Sequence, residues 1–383
     1  MSLWIRNAAI ATMDRENPAA EAAVVVGDFF AYVGSDRGAE AYLKEHPQKD
    51  LEVLDCRGAF LMPGFNDSHM HFLHYAKSKL GSVDLRGTKS VGEIAARMKK
   101  GLEKYDPASG LWLLGEGWNH DYFTDEKRYP TAADLDAVTA DYPLLVMRAC
   151  FHIGVLNSKA MELVGLDKAA AEKMGDFAGK NPDGTPNGVV KEHVVDNIKA
   201  NLPAPDLKTL LDMVLACQKD LFARGITSIQ SDDFKYTPDG CAYEMMRLLR
   251  DASEDGRLKV RWGEQALLPT KAELDEFFDR KGCDDSYGNR SFKISTVKLL
   301  TDGSLGARTA YMRRPYADDP STRGLPTYTQ EGLDALVLKA HENNMPVAMH
   351  AIGDGAMEMA LGAIERARKA MPYVHPRHGV VHC

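Results

Sequence analysis

Residues 62–72 read MPGFNDSHMHF. Two histidines, His69 and His71, stand one residue apart, shortly after an apolar run closed by Pro63-Gly64. In an extended strand, residues i and i+2 project to the same face, so the two imidazoles would stand side by side. Two neutral imidazoles on one face make half of a metal site. The competing reading is a pair of surface or core histidines, and the rest of the chain must decide between them.

Downstream of about residue 210 the pattern alternates. LKTLLDMVLACQKDLFARG reads as a helix ending at Gly225, ITSIQSDD as a strand, YEMMRLLRDASEDG as a helix and LKVRWGEQ as a strand. ISTVKLLTDG is a strand, EGLDALVLKAHENN a helix, PVAMHAIGD a strand, AMEMALGAIERARKAM a helix and HGVVHC a strand. Alternation at this pace points to an α/β protein with a parallel sheet and helices outside it. The repeated unit suits a (β/α) barrel. Residues 1–60 read differently, as short strands punctuated by Gly27-Asp28 and Gly34-Ser35, a small β module. The barrel is then expected over residues 61–383. His71 and Lys298 lie much further apart than the roughly 100 residues that separate first and fourth barrel strands. The irregular stretch at about 75–205 is therefore expected to be an inserted subdomain.

The chain has 383 residues, 44% hydrophobic and 27% charged, an ordinary globular mix. The net charge of −8 and the lack of a basic tract argue against nucleic acid and anionic membrane as partners. No apolar stretch approaches the roughly 18 residues of a spanning helix. The start, MSLWIRNAAIATMDREN, has no signal-peptide core. The six cysteines are scattered without a C-x-x-C, which points to a reducing, cytoplasmic setting and away from a cysteine-rich zinc site.

Further candidates sit at later strand ends. His350 ends the strand PVAMH and His382 follows HGVV. Each alone also suits a hydrogen-bonded core histidine. Lys298 lies among Val297, Leu299 and Leu300, a costly place for an ammonium unless it is paired or snorkels. A dry pocket lowers a lysine's pKa and frees its amine to react. Residues near the carboxyl ends of barrel strands converge on one mouth, so these five would meet there.

The segments PGFNDSHMH, VKLLTDGSLGARTAYM, MHAIGDGAMEMAL and the closing HC resemble the amidohydrolase superfamily, in its YtcJ-like branch, which includes N-substituted formamide deformylase. GEGWNHDYF, FHIGVLNSKAME and PDGTPNGVVKE are similar to the branch's inserted domain, so the resemblance covers essentially the whole chain. It implies a TIM-like metal-dependent hydrolase barrel with a small β-sandwich built from both chain ends. By position, His69 and His71 become ligands of one metal, and His350 and His382 ligands of a second. Lys298 becomes the fourth-strand lysine that takes up carbon dioxide and bridges the two divalent ions, expected to be zinc, as a carbamate. The pattern departs at Asn66, where an aliphatic residue is common, at Phe151, where glycine is expected, and at Val381, where glutamate is frequent. The family's eighth-strand aspartate, its general acid/base, has no counterpart, so the catalytic residue is expected beyond Cys383. The 383-residue chain made alone is expected to be poorly soluble and inactive, because open sheet edges expose unpaired backbone.

Asp302, Gly303 and Arg308, in TDGSLGARTA, are candidates to touch substrate; the alternative is ordinary turn chemistry. His152 and Asn157 are candidates to reach the pocket from the insertion, and Trp118 to wall it, against plain buried packing. Asp67 is a candidate to orient an imidazole. Asp354 reads equally well as a helix cap. The function expected is hydrolysis of a carbon–nitrogen bond other than a peptide bond, in an N-formyl or N-acyl amine, by a metal-bridging hydroxide. The partner is a small-molecule substrate, and a homo-oligomer is left open. Two alternatives stand. One is a ring-amine deaminase of the same superfamily; such enzymes commonly use one metal and lack the bridging lysine. The other is a non-catalytic regulatory protein on the same scaffold.

Overall fold

Six strands follow one another in chain order across one sheet of the computed structural model, which describes residues 2–280, 288–306 and 308–383. They are β1 (Phe65–Met70), β2 (Ile226–Ser231), β3 (Arg261–Leu267), β4 (Phe292–Leu300), β5 (Val347–His350) and β6 (Gly379–Val381). β3, β4, β5 and β6 pair in parallel. The helices are α1 (Phe72–Gly81), α2 (Leu207–Phe222), α3 (Ala242–Glu254), α4 (Lys271–Asp279), α5 (Gln330–Glu342) and α6 (Asp354–Ala370). Parallel neighbours need a crossover, and helices supply it here. β4 shows why this sheet reads as nearly unbroken hydrophobicity: Ile294, Thr296 and Lys298 on one side and Val297 and Leu299 on the other are all buried. The sequence reading had no helix at α4. Its start is a capping box, in which the Thr270 hydroxyl accepts the Glu273 N–H and the Glu273 carboxylate accepts the Thr270 N–H.

The chain divides into two compact units, Met1–Asn66 with Arg224–Ser228, and Asp67–Ala223 with Ile229–Cys383. In the first, strand Ser2–Arg6 lies between an antiparallel and a parallel neighbour, Ala22–Val26 and Leu51–Asp55. Alternation splits its core. Ile5 and Ala23 meet Ile10 and Leu61 of a second small sheet, while Ala22 and Val24 pack near Ala39 of the helix Asp36–Glu45.

The second unit carries a further six-stranded sheet between α1 and α2, parallel on one side and antiparallel on the other. Its strand Leu144–Arg148 is buried on both faces. Leu144 and Val146 enter one core with Trp118, and Leu145 and Met147 enter another with Val190. Among the described residues five cysteines are free thiols, Cys283 lies outside them, and no helix is long and apolar enough to cross a membrane.

Candidate metal centre

The carboxyl ends of all six strands of the main sheet deliver a polar side chain to one place. Register explains the grouping. Lys298 pairs with Leu267 on one side and Ala348 on the other. Residues two apart share a face, so Gln265 and His350 lie on the face of Lys298. Val381 pairs with His350, and His382 would point away if the strand continued. Instead His382 takes φ 75, which turns it out of the strand, and its ring stands 4.9 Å from that of His350 and 5.0 Å from that of His69. His69 and His71 are 5.1 Å apart, centre to centre. Lys298 Nζ lies 3.4 Å from His69 Nε2. The five residues singled out in the sequence are thus neighbours.

Hydrogen bonds decide which imidazole nitrogens remain available. A carbonyl oxygen only accepts, so His71 Nδ1–H donates to the Asp232 carbonyl at 2.7 Å, and in the neutral ring Nε2 keeps its lone pair. His69 Nδ1 lies 3.0 Å from Gln265 Oε1, which leaves Nε2 on the side of Lys298. His350 Nε2 lies 2.9 Å from the Gly303 carbonyl, so its lone pair is on Nδ1. Outer acceptors that fix a tautomer in this way are the usual support of metal-binding histidines. Among the described residues no three His, Cys, Asp or Glu side chains close on one point as ligands of a single ion. The fit rests on the donors themselves: imidazoles with free lone pairs, and a buried carboxylate that accepts no hydrogen bond.

That carboxylate is Asp232, at the end of β2. It is 1% exposed, neither oxygen accepts a hydrogen bond, and Oδ2 lies 3.7 Å from Lys298 Nζ. Burial pushes the Lys298 amine down to about 8, with Asp232 opposing. Burial, and then the Lys298 charge, holds His69 down at about 4. His382 is lowered by burial and by His350. Behind His71 lie two more buried acids. Asp233 is raised to about 7 by burial, and Glu264 well above its ordinary value by burial and then by Asp233. Glu264 accepts the Asp233 N–H and the Trp262 Nε1–H, both at 2.9 Å. The sequence reading passed over Asp232 and Gln265. The signal available for Asp232 was its place, immediately after a strand, where the other candidates also sit.

Four of the residues expected to touch substrate, Asn157, Trp118, Arg308 and His152, make their contacts elsewhere. Asn157 is buried; Oδ1 accepts the Leu144 and Ala160 N–H groups, and Nδ2 donates to the Thr139 and Tyr142 carbonyls. It caps the helix Ser158–Leu163. Trp118 is fully buried against Tyr129. Arg308 forks onto Asp318. His152 is exposed beside the Glu192 carboxylate at 3.0 Å. Phe151 before it has φ 61, a backbone region that glycine enters without cost, which matches the glycine of the family pattern. Asp302 does reach the cluster, as a brace: it accepts N–H bonds from Tyr311, Ile352 and Gly353, and Oδ1 lies 3.4 Å from His350 Nε2. Asp67 accepts the backbone N–H of His69 rather than its ring. Asp354 accepts the Arg313 N–H, and Gly353 takes the cap position of α6.

A parallel α/β sheet with imidazoles and a buried lysine at its strand ends is the arrangement of a metal-dependent hydrolase. Residues 52–383 match the family model described as "Amidohydrolase family", and the chain belongs to that family. It is 31% identical over 357 residues to the protein YtcJ of Bacillus subtilis, named as an amidohydrolase, covering 93% of this chain and 64% of the relative. It is 24% identical to N-substituted formamide deformylase of Arthrobacter pascens, covering 96% of this chain and 66% of that enzyme. A crystal structure of a metal-dependent hydrolase from Pyrococcus furiosus superposes with a TM-score of 0.75 at 28% identity, over 96% of this chain and 71% of that one. The chain thus spans less than two thirds of YtcJ.

Proposed function

We propose that this chain carries the metal centre of a hydrolase of carbon–nitrogen bonds other than peptide bonds, with an N-formyl or N-acyl amine as substrate. The observation that carries the reading is the gathering of His69, His71, His350 and His382 around the buried Lys298 and Asp232. His69 and His71 would hold one divalent ion and His350 and His382 a second, with zinc fitting an imidazole-rich donor set. When bound, such a pair lowers the pKa of a water and polarises a carbonyl. The chain's own residues do the rest. Gln265, the Asp232 carbonyl and the Gly303 carbonyl hold three imidazoles in the ligating tautomer. Burial keeps part of the Lys298 amine neutral near pH 8. A neutral amine adds carbon dioxide to give a carbamate and a proton, which turns a cation into the anion that two dications need. The free thiols support a reducing, cytoplasmic setting.

The test is metal content and amine release from a panel of N-formyl and N-acyl amines, for this sequence within a protein of the full length of its relatives, as wild type and as Lys298→Ala. Two metals per chain and amine release are expected of the wild type, with both falling in the variant and partial rescue by added formate or acetate. Ammonia release from ring amines instead would favour the deaminase. Metal binding with no turnover would favour the regulatory protein. Lys298→Ala with two metals and full activity would remove the bridging role.

A further inference from the structure

Beside the histidine cluster, α1, the inserted sheet and the helix His193–Ala200 line a cavity of about 600 Å³. That is the size of a site for a small organic ligand. Its floor is apolar: Trp112, Leu114, Leu145, Met147 and Met213. Its charged lining is three lysines, Lys77, Lys199 and Lys235, against two acids, Glu116 and Asp196. Of the two acids in the wall, one is paired with a lysine, and the other keeps its charge and acts on Lys77. Asp196 pairs with Lys199 at 2.9 Å, and Glu116 accepts the Ser78 hydroxyl. Lys77 is half-buried, and among the described residues it has no ion pair; burial lowers its pKa against the pull of Glu116. Lys235 lies over the Tyr236 ring at 5.1 Å. Tyr236 marks the inner end of the cavity. It stacks on His74 at 4.4 Å and meets the His71 ring edge-on at 5.4 Å. A ligand in the cavity is therefore one ring away from a candidate metal ligand.

An apolar floor with two cations that, among the described residues, form no ion pair with a carboxylate suits an amphiphile with an anionic end. A half-buried ammonium loses hydration, and an anion brought against it offsets that loss. We propose that this cavity seats the non-reacting part of the substrate, an apolar chain or ring ending in a carboxylate held by Lys77 and Lys235. The scissile amide then lies past Tyr236, at the histidines. The substrate class becomes an N-acyl amine with an apolar spacer and a terminal carboxylate. This assignment rests on the amide-hydrolase reading for its chemistry, but not for its binding.

Binding separates the two. The full chain, freed of metal by chelator so that no ion captures a carboxylate, is titrated calorimetrically with 4-phenylbutyrate and with neutral 4-phenyl-1-butanol. The acid is expected to bind about 10-fold more tightly, the scale of a charge-assisted contact discounted for partial exposure. The double variant Lys77→Met, Lys235→Met should lose that preference and keep its affinity for the alcohol. Lys77→Arg should retain the preference. Equal binding of acid and alcohol by the wild type overturns the assignment, whether or not the variants fold. So does a preference that survives in the double variant. Failure to hydrolyse any N-acyl amine, with the binding preference intact, would count against the amide-hydrolase reading alone.

Discussion

At the scale of single residues, the pairing of Lys298 with Asp232 is the least ordinary feature of the site. Both side chains are 1% exposed, 3.7 Å apart, and Asp232 has no hydrogen bond to satisfy it. Two buried charges that lean on one another are cheaper to remove together than singly, because a single deletion leaves the survivor uncompensated. Asp232→Asn is therefore expected to destabilise the metal-free protein by roughly 3–5 kcal/mol. Adding Lys298→Met should return part of that loss. A double-mutant cycle by chemical denaturation reads the coupling directly. Strict additivity of the two substitutions would show that the ammonium and the carboxylate do not sense each other, and would leave Asp232 without its counter-ion role.

At the scale of elements, Asp302 joins the end of β4 to the start of α6. One buried carboxylate accepts the N–H groups of Tyr311, Ile352 and Gly353 at 2.9, 3.1 and 2.7 Å. Gly353 has no room for a side chain, since a Cβ there would lie 1.9 Å from the Tyr311 carbonyl oxygen. Asp302→Ala strands three donors at once, and about 3 kcal/mol or more of stability should go with them. His350 should also lose its fixed position, visible as a changed imidazole resonance by NMR. An unaltered melting temperature and spectrum would mean that the loop holds itself. The strand–helix alternation was legible in the sequence because both periodicities are local. So was Lys298, since an ammonium among branched aliphatics is conspicuous. The capping box of α4 was legible too, and was passed over. Gln265 was not legible: its hydrogen bond to His69 spans 196 residues of sequence. Asp232 was read as part of the strand ITSIQSDD, and only the folded sheet shows that its oxygens accept no hydrogen bond. Asn157 was misleading for the reverse reason, because a polar residue spent wholly on backbone looks, in sequence, like one free to bind.

At the scale of the whole molecule, acid sensitivity is a sum over buried groups that titrate in opposite senses. Burial holds the interacting pair Asp233 and Glu264 above the usual carboxylate range, so above the unfolded value near 3.8 the folded chain keeps a proton that the unfolded chain lacks. That contribution is present at low pH and fades as pH rises. His378 works the other way. It lies in a chain of bonds that ties α5, β5 and the end of α6 together: Nδ1 accepts the Val347 N–H at 3.1 Å, and Nε2 meets His341 Nδ1 at 2.8 Å. His341 Nε2 in turn donates to the Met371 carbonyl at 3.1 Å. Every ring proton is placed, so protonating His378 would set its Nδ1–H against the Val347 N–H. Burial, and then His341, push His378 from 6.5 down to about 4. Between those values the unfolded chain binds a proton that the folded chain refuses, so this part of the stability is full above about 6.5 and is lost as pH falls toward 4. The melting curve of the wild type alone mixes the two senses, and a difference isolates one. His378→Leu should melt below the wild type at pH 7.5, because the Val347 N–H loses its acceptor. The gap should narrow steadily toward pH 4.5, where the wild type has lost what the variant never had. A gap that stays constant, or widens on acidification, would show that His378 accepts a proton as readily folded as unfolded.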